Sequence, residues 1–223
     1  MAYVQSANAS NDATATTITL AASLTVTSGN TIVMSSSCGV AQTVSTVADT
    51  LGSTYTSRVT HAGVNTFADL RDATLASGGT NNVTVTFSAT VQFRRLVVHE
   101  YSNVNAFDVA AGANGTASPC TSGNITTAQA GELIFSVVYG DQTQTATYTA
   151  ETNESFTIRE QFGGGLVTQA ASEDAVQVAA GSTHGGFSFT GGANSQNCLV
   201  AAYKLLAAGA VVQPSTDNAV YRM

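Results

Sequence analysis

The stretch ASGGTNNVTVTFSA, residues 76–89, decides the fold class of this chain. Its first half is rich in Gly and Asn, which tolerate the backbone conformations of turns. Its second half alternates apolar and polar residues, with Val83, Val85 and Phe87 two positions apart. That spacing places the three apolar side chains on one face of a strand. The stretch therefore predicts a turn that leads into a half-buried strand.

The same alternation recurs along the chain, at Ile18/Leu20, Leu24/Val26, Phe156/Ile158 and Phe187/Phe189. Clusters of Gly, Asn and Ser separate these runs, as expected of turns between strands. Long amphipathic helical patterns are missing, and only VNTFADLRDATLA, residues 64–76, could form a short helix. The pattern predicts an all-β fold of antiparallel strands.

The chain also repeats itself at an offset of about 102 residues. SGNTIVMS (28–35) resembles AGELIFSV (130–137), and LVVHEY (96–101) resembles CLVAAY (198–203). Two further pairs share the offset: GSTYTSRV (52–59) with NESFTIRE (153–160), and residues 76–89 with AAGSTHGGFSFTGG (179–192). We interpret the repeat as a duplication that builds a two-sheet, jelly-roll-like β-sandwich from two halves of roughly four strands each.

This interpretation divides the chain into an N-terminal arm (1–13), a sandwich domain (14–207) and an extended C-terminal tail (208–223). The halves of the sandwich span about 14–103 and 125–207, and the segment between them is expected to cross the end of the sandwich. In the tail, Pro214 and the polar run around it discourage a core strand. The apolar residues of the tail are Val211, Val212, Val220 and Tyr221. They predict an arm that docks on a neighbouring subunit, and a frayed terminus is the alternative.

Charge is scarce and its balance is acidic. Charged residues make up 9% of the chain and the formal net charge is −7, whereas an average soluble protein carries roughly 25% charged residues. A surface that neutralises phosphates is therefore not available, and direct nucleic-acid binding is not expected. No run approaches the roughly 20 apolar residues that cross a bilayer, and residues 1–15 lack the pattern of a secretory signal.

The three cysteines, Cys38, Cys120 and Cys198, are odd in number and share no CxxC spacing. Neither a closed disulfide framework nor a zinc site is indicated. At most one bridge within the chain can form, and either buried thiols or a bridge between subunits would fit the pattern.

His99 and Glu100 stand side by side in the apolar run LVVHEYSNV, residues 96–104. Neighbouring strand residues point to opposite faces, so these two side chains cannot act as an acid and base pair. The repeat aligns them with Ala201 and Ala202. We interpret His99 and Glu100 as a structural polar pair, and expect loop amides or an Arg such as Arg58 to bind the carboxylate.

Further candidates for chemistry give weak signals. Asp49, Asp141, Glu173 and Asp174 could gather calcium in turns, and Glu151, Glu154 and Glu160 could include a glycosidase pair. None follows a metal-binding or catalytic motif, and His61 and His184 are isolated. We predict no catalytic, cofactor-binding or metal-binding residue, no cofactor, and no enzyme.

Several segments resemble β-sandwich domains of phage virion proteins and bacterial surface proteins over about residues 14–207. They are DTLGSTYT (49–56), VTVTF (83–87), VVHEYSNV (97–104), TTAQAGELIFSV (126–137) and SEDA (172–175). The resemblance implies a structural virion protein, such as a capsid decoration (cement) or fibre protein, made in the host cytoplasm without a signal peptide. Its expected partners are its own copies and a major capsid or tail protein, not a membrane.

The alternative is a carbohydrate-binding module or adhesin that contacts a host glycan. Sugar platforms usually expose aromatic rings, and this chain has no Trp. Tyr3, Tyr139, Tyr148 and Tyr221 are the aromatic candidates, because Tyr55, Tyr101 and Tyr203 lie at positions typical of a core.

Overall fold

The computed structural model describes residues 2–39, 42–63, 65–142, 147–164, 168–190 and 193–206. All regular structure in these ranges is β-strand, and every strand pairing is antiparallel. The prediction of an all-β antiparallel fold is confirmed.

The strands of the first half are β1 (Ala2–Asn11), β2 (Ala15–Thr19), β3 (Leu24–Val26), β4 (Thr31–Cys38), β5 (Val44–Asp49), β6 (Thr56–Ala62), β7 (Phe67–Thr74), β8 (Gly79–Asn81), β9 (Val83–Val91) and β10 (Arg94–Ser102). Those of the second half are β11 (Val104–Gly115), β12 (Cys120–Thr121), β13 (Ile125–Thr126), β14 (Leu133–Gln142), β15 (Thr147–Ala150), β16 (Thr157–Gly164), β17 (Thr168–Val176), β18 (Ser182–Thr183), β19 (Gly186–Thr190) and β20 (Ala193–Leu205).

The pairing within each half is nested, as in a jelly roll. In the first half β1 pairs with β10, β2 with β9, β3 with β8 and β4 with β7. In the second half β11 pairs with β20, β12 with β19, β13 with β18 and β14 with β17. The two halves therefore have the same topology, and the prediction of a jelly-roll-like sandwich built from two quasi-repeated halves is confirmed.

Each half has its own sheets and its own core. The first contains a five-stranded sheet of order β1-β10-β4-β7-β6, which faces the smaller sheets β2-β9-β5 and β3-β8. Ile32, Met34 and Val98 of the large sheet pack against Val85 and Phe87 of the small one. The expectation of four strands per half was too low, because strands of the five-stranded sheets such as β4 and β10 are buried on both faces and show no alternation.

The two five-stranded sheets face each other in the middle of the molecule. Their contact, here called the seam, buries Val33 and Val97 of the first half against Phe135, Val137 and Leu199 of the second. Edge strands also meet along the seam, β1 against β16 and β6 against β11. Because each half contributes equivalent strands, the seam has quasi-two-fold symmetry.

Three expectations about local structure require correction. Residues 67–74, inside the predicted short helix, form strand β7. Residues 2–11, predicted as an arm, form β1 and pair with β10. The start of the expected connection between the halves forms β11, which pairs with β20, so the halves join directly at Asn103, whose φ is 61°. The predicted docking residues of the C-terminal tail lie outside the described residues.

Candidate functional site

His99 and Glu100 occupy opposite faces of β10. Glu100 faces the core of the first half, beside Leu96 and Val98, whereas His99 faces the seam, beside Val97. Both side chains are fully buried. Any role of either residue therefore depends on the groups packed around it inside the protein.

The Glu100 carboxylate holds the turn that follows β3. Its Oε1 accepts hydrogen bonds from the Thr27 backbone amide at 2.8 Å and from Asn30 Nδ2 at 2.7 Å. Its Oε2 accepts one from Gln5 Nε2 at 2.6 Å. Loop amides thus supply partners as expected, but Arg58 does not, because it pairs with Asp72.

The second half holds the equivalent turn with a carboxylate at a different position. Glu100 corresponds to Ala202, and Asn30 corresponds to Glu132. Glu132 is buried and its Oε1 accepts the Gln129 amide at 3.1 Å, where Gln129 corresponds to Thr27. Burial of Glu132 raises the pKa of its carboxyl group. The second half therefore lacks the polar pair because Glu132 supplies the carboxylate for its turn. The turn itself keeps a carboxylate acceptor in both halves.

On the seam side, His99 belongs to a buried chain of hydrogen bonds between the halves. Tyr101 donates its hydroxyl hydrogen to Asp174 Oδ2 at 2.8 Å, so its oxygen remains free to accept from His99 Nδ1 at 3.3 Å. His99 Nε2 then accepts from Ser172 Oγ at 2.9 Å. Burial, with a smaller effect of the Arg159 charge, lowers the pKa of His99 to about 3. The imidazole is therefore neutral near pH 7.

Asp174 is the centre of this network. Arg159 Nε and Nη2 bind its two carboxylate oxygens at 2.9 and 2.8 Å, the two-point geometry that Arg makes with carboxylates. The guanidinium also lies over the ring of Tyr3, 4.1 Å from its centroid. Burial, followed by the Asp174 charge, raises the pKa of Tyr101 well above its ordinary value. The whole group contains residues from both halves and locks them together.

The duplication repeats this arrangement at the other end of the seam. Arg58 binds Asp72 through Nη2 at 2.9 Å and through Nε at 3.0 Å, and it lies over the Phe107 ring at 4.6 Å. Tyr203 takes the place of Tyr101, and its fully buried hydroxyl makes only a weak contact with Asp72 and no well-formed hydrogen bond among the described residues. Burial, followed by the nearby Asp72 charge, raises the pKa of that hydroxyl.

A cavity of about 320 Å³ opens at this second end of the seam. Its lining combines the Arg58–Asp72 pair and Tyr203 with Thr31, Thr74 and residues 104–107. The cavity thus combines polar and apolar residues of both halves, and it lies where the Tyr203 hydroxyl has only a weak partner.

Glu173 and Glu151 are close to one another in the second half. Glu173 Oε2 accepts the Glu151 backbone amide at 3.1 Å, and Glu173 Oε1 accepts that of Gly186 at 3.2 Å. Burial raises the pKa of Glu173 to about 8, although these two amides oppose the shift. His184 Nε2 lies 3.7 Å from Glu151 Oε2. Because Glu173 is fully buried, this group offers no carboxyl pair that a polysaccharide could reach.

The remaining candidates serve turns and contacts between elements. Asp49 accepts the amides of residues 51 and 53 and the Tyr55 hydroxyl. Asp141 accepts from Asn65, and His61 contacts Asn197 across the seam. Glu160 accepts hydrogen bonds from Ser6 and Asn8. Within the described ranges, no group of three His, Cys, Asp or Glu side chains could hold a metal ion.

The structure brings two of the three cysteines together. Cys120 of β12 and Cys198 of β20 pack in one core cluster, and Cys198 Sγ donates to the Cys120 carbonyl at 3.5 Å. A hydrogen bond from Cys198 lowers the pKa of the Cys120 thiol, whereas burial raises that of Cys198. All three thiols, including Cys38, are buried and reduced.

The two Arg–Asp–Tyr groups of the seam were not predicted as sites. The repeat aligns Arg58 with Arg159 and Tyr101 with Tyr203, which was a usable signal. The tyrosines were interpreted as core residues because of their apolar surroundings, and the partner aspartates come from strands whose pairing the sequence does not reveal.

Comparison with known proteins finds no protein-family model, no curated protein and no solved structure that matches the chain. The described part of the chain contains no helix with the length and hydropathy needed to span a bilayer.

Proposed function

We propose that this chain is a structural virion protein, of the capsid decoration or fibre type, that assembles through subunit interfaces and catalyses no reaction. One surface carries the proposal. It is the outward side of the small sheets of the first half, here called the threonine face: Thr17, Thr19, Thr25, Thr46, Thr80, Thr84 and Thr86.

The threonine face is regular. Across the strands, Thr86 pairs with both Thr17 and Thr46, and Thr84 pairs with Thr19. Strands β2, β3, β8 and β9 contain no charged residue. Depletion of charge marks the centres of protein interfaces, and short, β-branched side chains have little rotamer entropy to lose on contact. Such a face suits repeated packing against another copy of the chain or against a capsid lattice.

The interior supports a scaffold rather than a catalyst. Glu100 holds a turn, Asp174 and Asp72 pair with arginines, and Glu173 accepts two backbone amides. Buried ionisable groups that are satisfied in this way stabilise one arrangement of the strands. Because jelly rolls host many functions, the proposal depends on the threonine face and not on the fold alone.

A charge placed on the threonine face tests the proposal. Lysines at two exposed positions of this face, Thr19→Lys/Thr46→Lys, should leave the fold intact and reduce the oligomer to a monomer. Thr116→Lys, at an exposed Thr of the second half, is the control. Light scattering over a range of concentrations measures the mass, and circular dichroism checks the fold.

A wild-type chain that is monomeric at every concentration and does not bind purified virions would contradict the assembly function. An oligomer that persists in the double-lysine variant would place the interface elsewhere and remove the observation that carries the proposal.

The alternative function, a carbohydrate-binding module, receives no support from an aromatic platform in the described residues. Tyr139 and Tyr148 are buried, and the ring of Tyr3 stacks on Arg159. Tyr221 lies outside the described residues. A ligand site of another kind is argued next.

A further inference from the structure

We infer that the cavity at the Tyr203 end of the seam binds one neutral, polyhydroxylated unit of monosaccharide size. The inference is independent of the assembly function, because the cavity lies between the two five-stranded sheets rather than on the threonine face. A volume of about 320 Å³ stands at the lower end of the range for small-molecule sites, roughly 300–1,000 Å³.

The duplication provides an internal comparison for this site. Thr31 and Thr74 line the cavity, and the repeat places Leu133 and Val176 at the equivalent positions of the other end. Leu133 is fully buried in the seam. Two hydroxyl-bearing side chains thus replace two apolar ones at one end only, which makes that end more polar.

The state of the tyrosine hydroxyls differs in the same direction. Tyr101 donates to Asp174 at 2.8 Å, whereas the buried Tyr203 hydroxyl has only a weak contact with Asp72 and no well-formed hydrogen bond among the described residues. A buried hydroxyl with a poor partner is costly. A ligand hydroxyl in the cavity would supply a better partner, so the site suits a hydrogen-bonding molecule.

The charges of the lining define the class of ligand. Asp72 already neutralises Arg58 through two-point contacts, so the site has no excess charge for a phosphate, a carboxylate or a metal ion. Asp72 can accept hydrogen bonds from ligand hydroxyls, and the remaining guanidinium hydrogens of Arg58 can donate to them. Phe107 adds an apolar part to the lining, although Arg58 covers one face of its ring. A neutral polyol can use the hydrogen-bonding groups of this lining without bringing a charge into it.

Ligand-observed NMR with D-glucose, D-galactose, D-mannose and N-acetylglucosamine tests the inference. Each sugar is used at about 10 mM, above the ~1 mM dissociation constants expected for a single small ligand. Tyr203→Phe keeps the ring and removes only the hydroxyl, and should weaken binding about tenfold or more. Thr31→Leu/Thr74→Val copies the other end of the seam and should abolish binding.

Two controls keep the result interpretable. Thr126→Val removes a hydroxyl from an exposed position of β13 and should bind like the wild type. Thermal unfolding of each variant shows that the fold survives. The inference is overturned if none of the four sugars binds, if Tyr203→Phe and the double variant bind as tightly as the wild type, or if glucuronate binds more tightly than glucose.

Discussion

At the scale of single residues, Glu100 and Glu132 show one structural task performed from two positions of a repeat. Each accepts the backbone amide of the equivalent turn residue, Thr27 in the first half and Gln129 in the second. In the first half the carboxylate comes from a central strand, and in the second it comes from the turn itself. A change at either position is therefore expected to depend on the residue at the other.

We expect Glu100→Ala to destabilise the protein by about 3 kcal/mol, because three donors lose a charged acceptor inside the core. Adding Asn30→Glu copies the arrangement of the second half and should recover part of that loss. Urea unfolding of the wild type, the single variant and the double variant measures the effect. Equal stability of the single and double variants would show that the two positions are not interchangeable.

His99 should make the stability of the protein depend on pH in the acidic range. Its pKa is about 3 in the fold, against 6.5 for an ordinary histidine, so the unfolded chain binds the proton more readily between these values. The stabilisation is complete above about pH 6.5 and is lost as the pH falls toward 3, up to roughly 5 kcal/mol. Between pH 7 and pH 3.5, His99→Gln should lose less stability than the wild type, because it lacks the histidine. The carboxylates titrate in both proteins, so their effect cancels in the comparison. Urea unfolding at both pH values measures the difference. Parallel pH profiles would contradict this prediction.

At the scale of elements, the alternation of apolar residues predicts a strand well where only one face is buried, as in β9. It fails for β7, because both of its faces are covered. Phe67 and Ala73 face the core of the first half, whereas Ala68 and Leu70 face the seam. Such a strand has no polar side, and the helical spacing in residues 64–76 was accidental.

The seam shows how far the candidate site could be predicted. The repeat indicated that two halves pack together, and it aligned the arginines and tyrosines of the two polar groups. It did not indicate that Tyr101 binds Asp174, because the contact joins β10 to β17 across two sheets. The cavity was also beyond prediction, since its lining residues come from both halves and from five separate stretches of the chain.

The Arg–Asp–Tyr groups at the two ends of the seam should contribute differently to the stability of the protein. Asp174→Asn removes the charged partner of Arg159 and the acceptor of the Tyr101 hydroxyl, and we expect a loss of about 3–4 kcal/mol. Asp72→Asn affects Arg58 but disturbs only a weak contact with the Tyr203 hydroxyl, and should cost about 1–2 kcal/mol less. Urea unfolding of both variants makes the comparison. A larger loss for Asp72→Asn would contradict the difference between the two ends.

At the scale of the whole molecule, two jelly rolls pack together along the seam, and the predicted docking residues of the tail follow them in sequence. If residues 208–223 dock on a neighbour, their deletion should weaken the oligomer or its incorporation into virions at least tenfold, because Val211, Val212, Val220 and Tyr221 lose their apolar contacts. Light scattering and the occupancy on virions measure the effect. Unchanged mass and occupancy would remove the tail from the assembly.

The same measurement, repeated with a reducing agent, decides whether covalent links join the subunits. Cys38, Cys120 and Cys198 are buried, so a thiol of one folded chain cannot reach a thiol of another. We expect the same mass with and without the reducing agent, and slow reaction of all three thiols with a soluble thiol reagent until urea unfolds the chain. A mass that falls on reduction would show that a disulfide joins the subunits, so a cysteine that is buried in the single chain must become exposed during assembly. An unchanged mass would leave non-covalent packing, through the threonine face and the tail, to hold the assembly together.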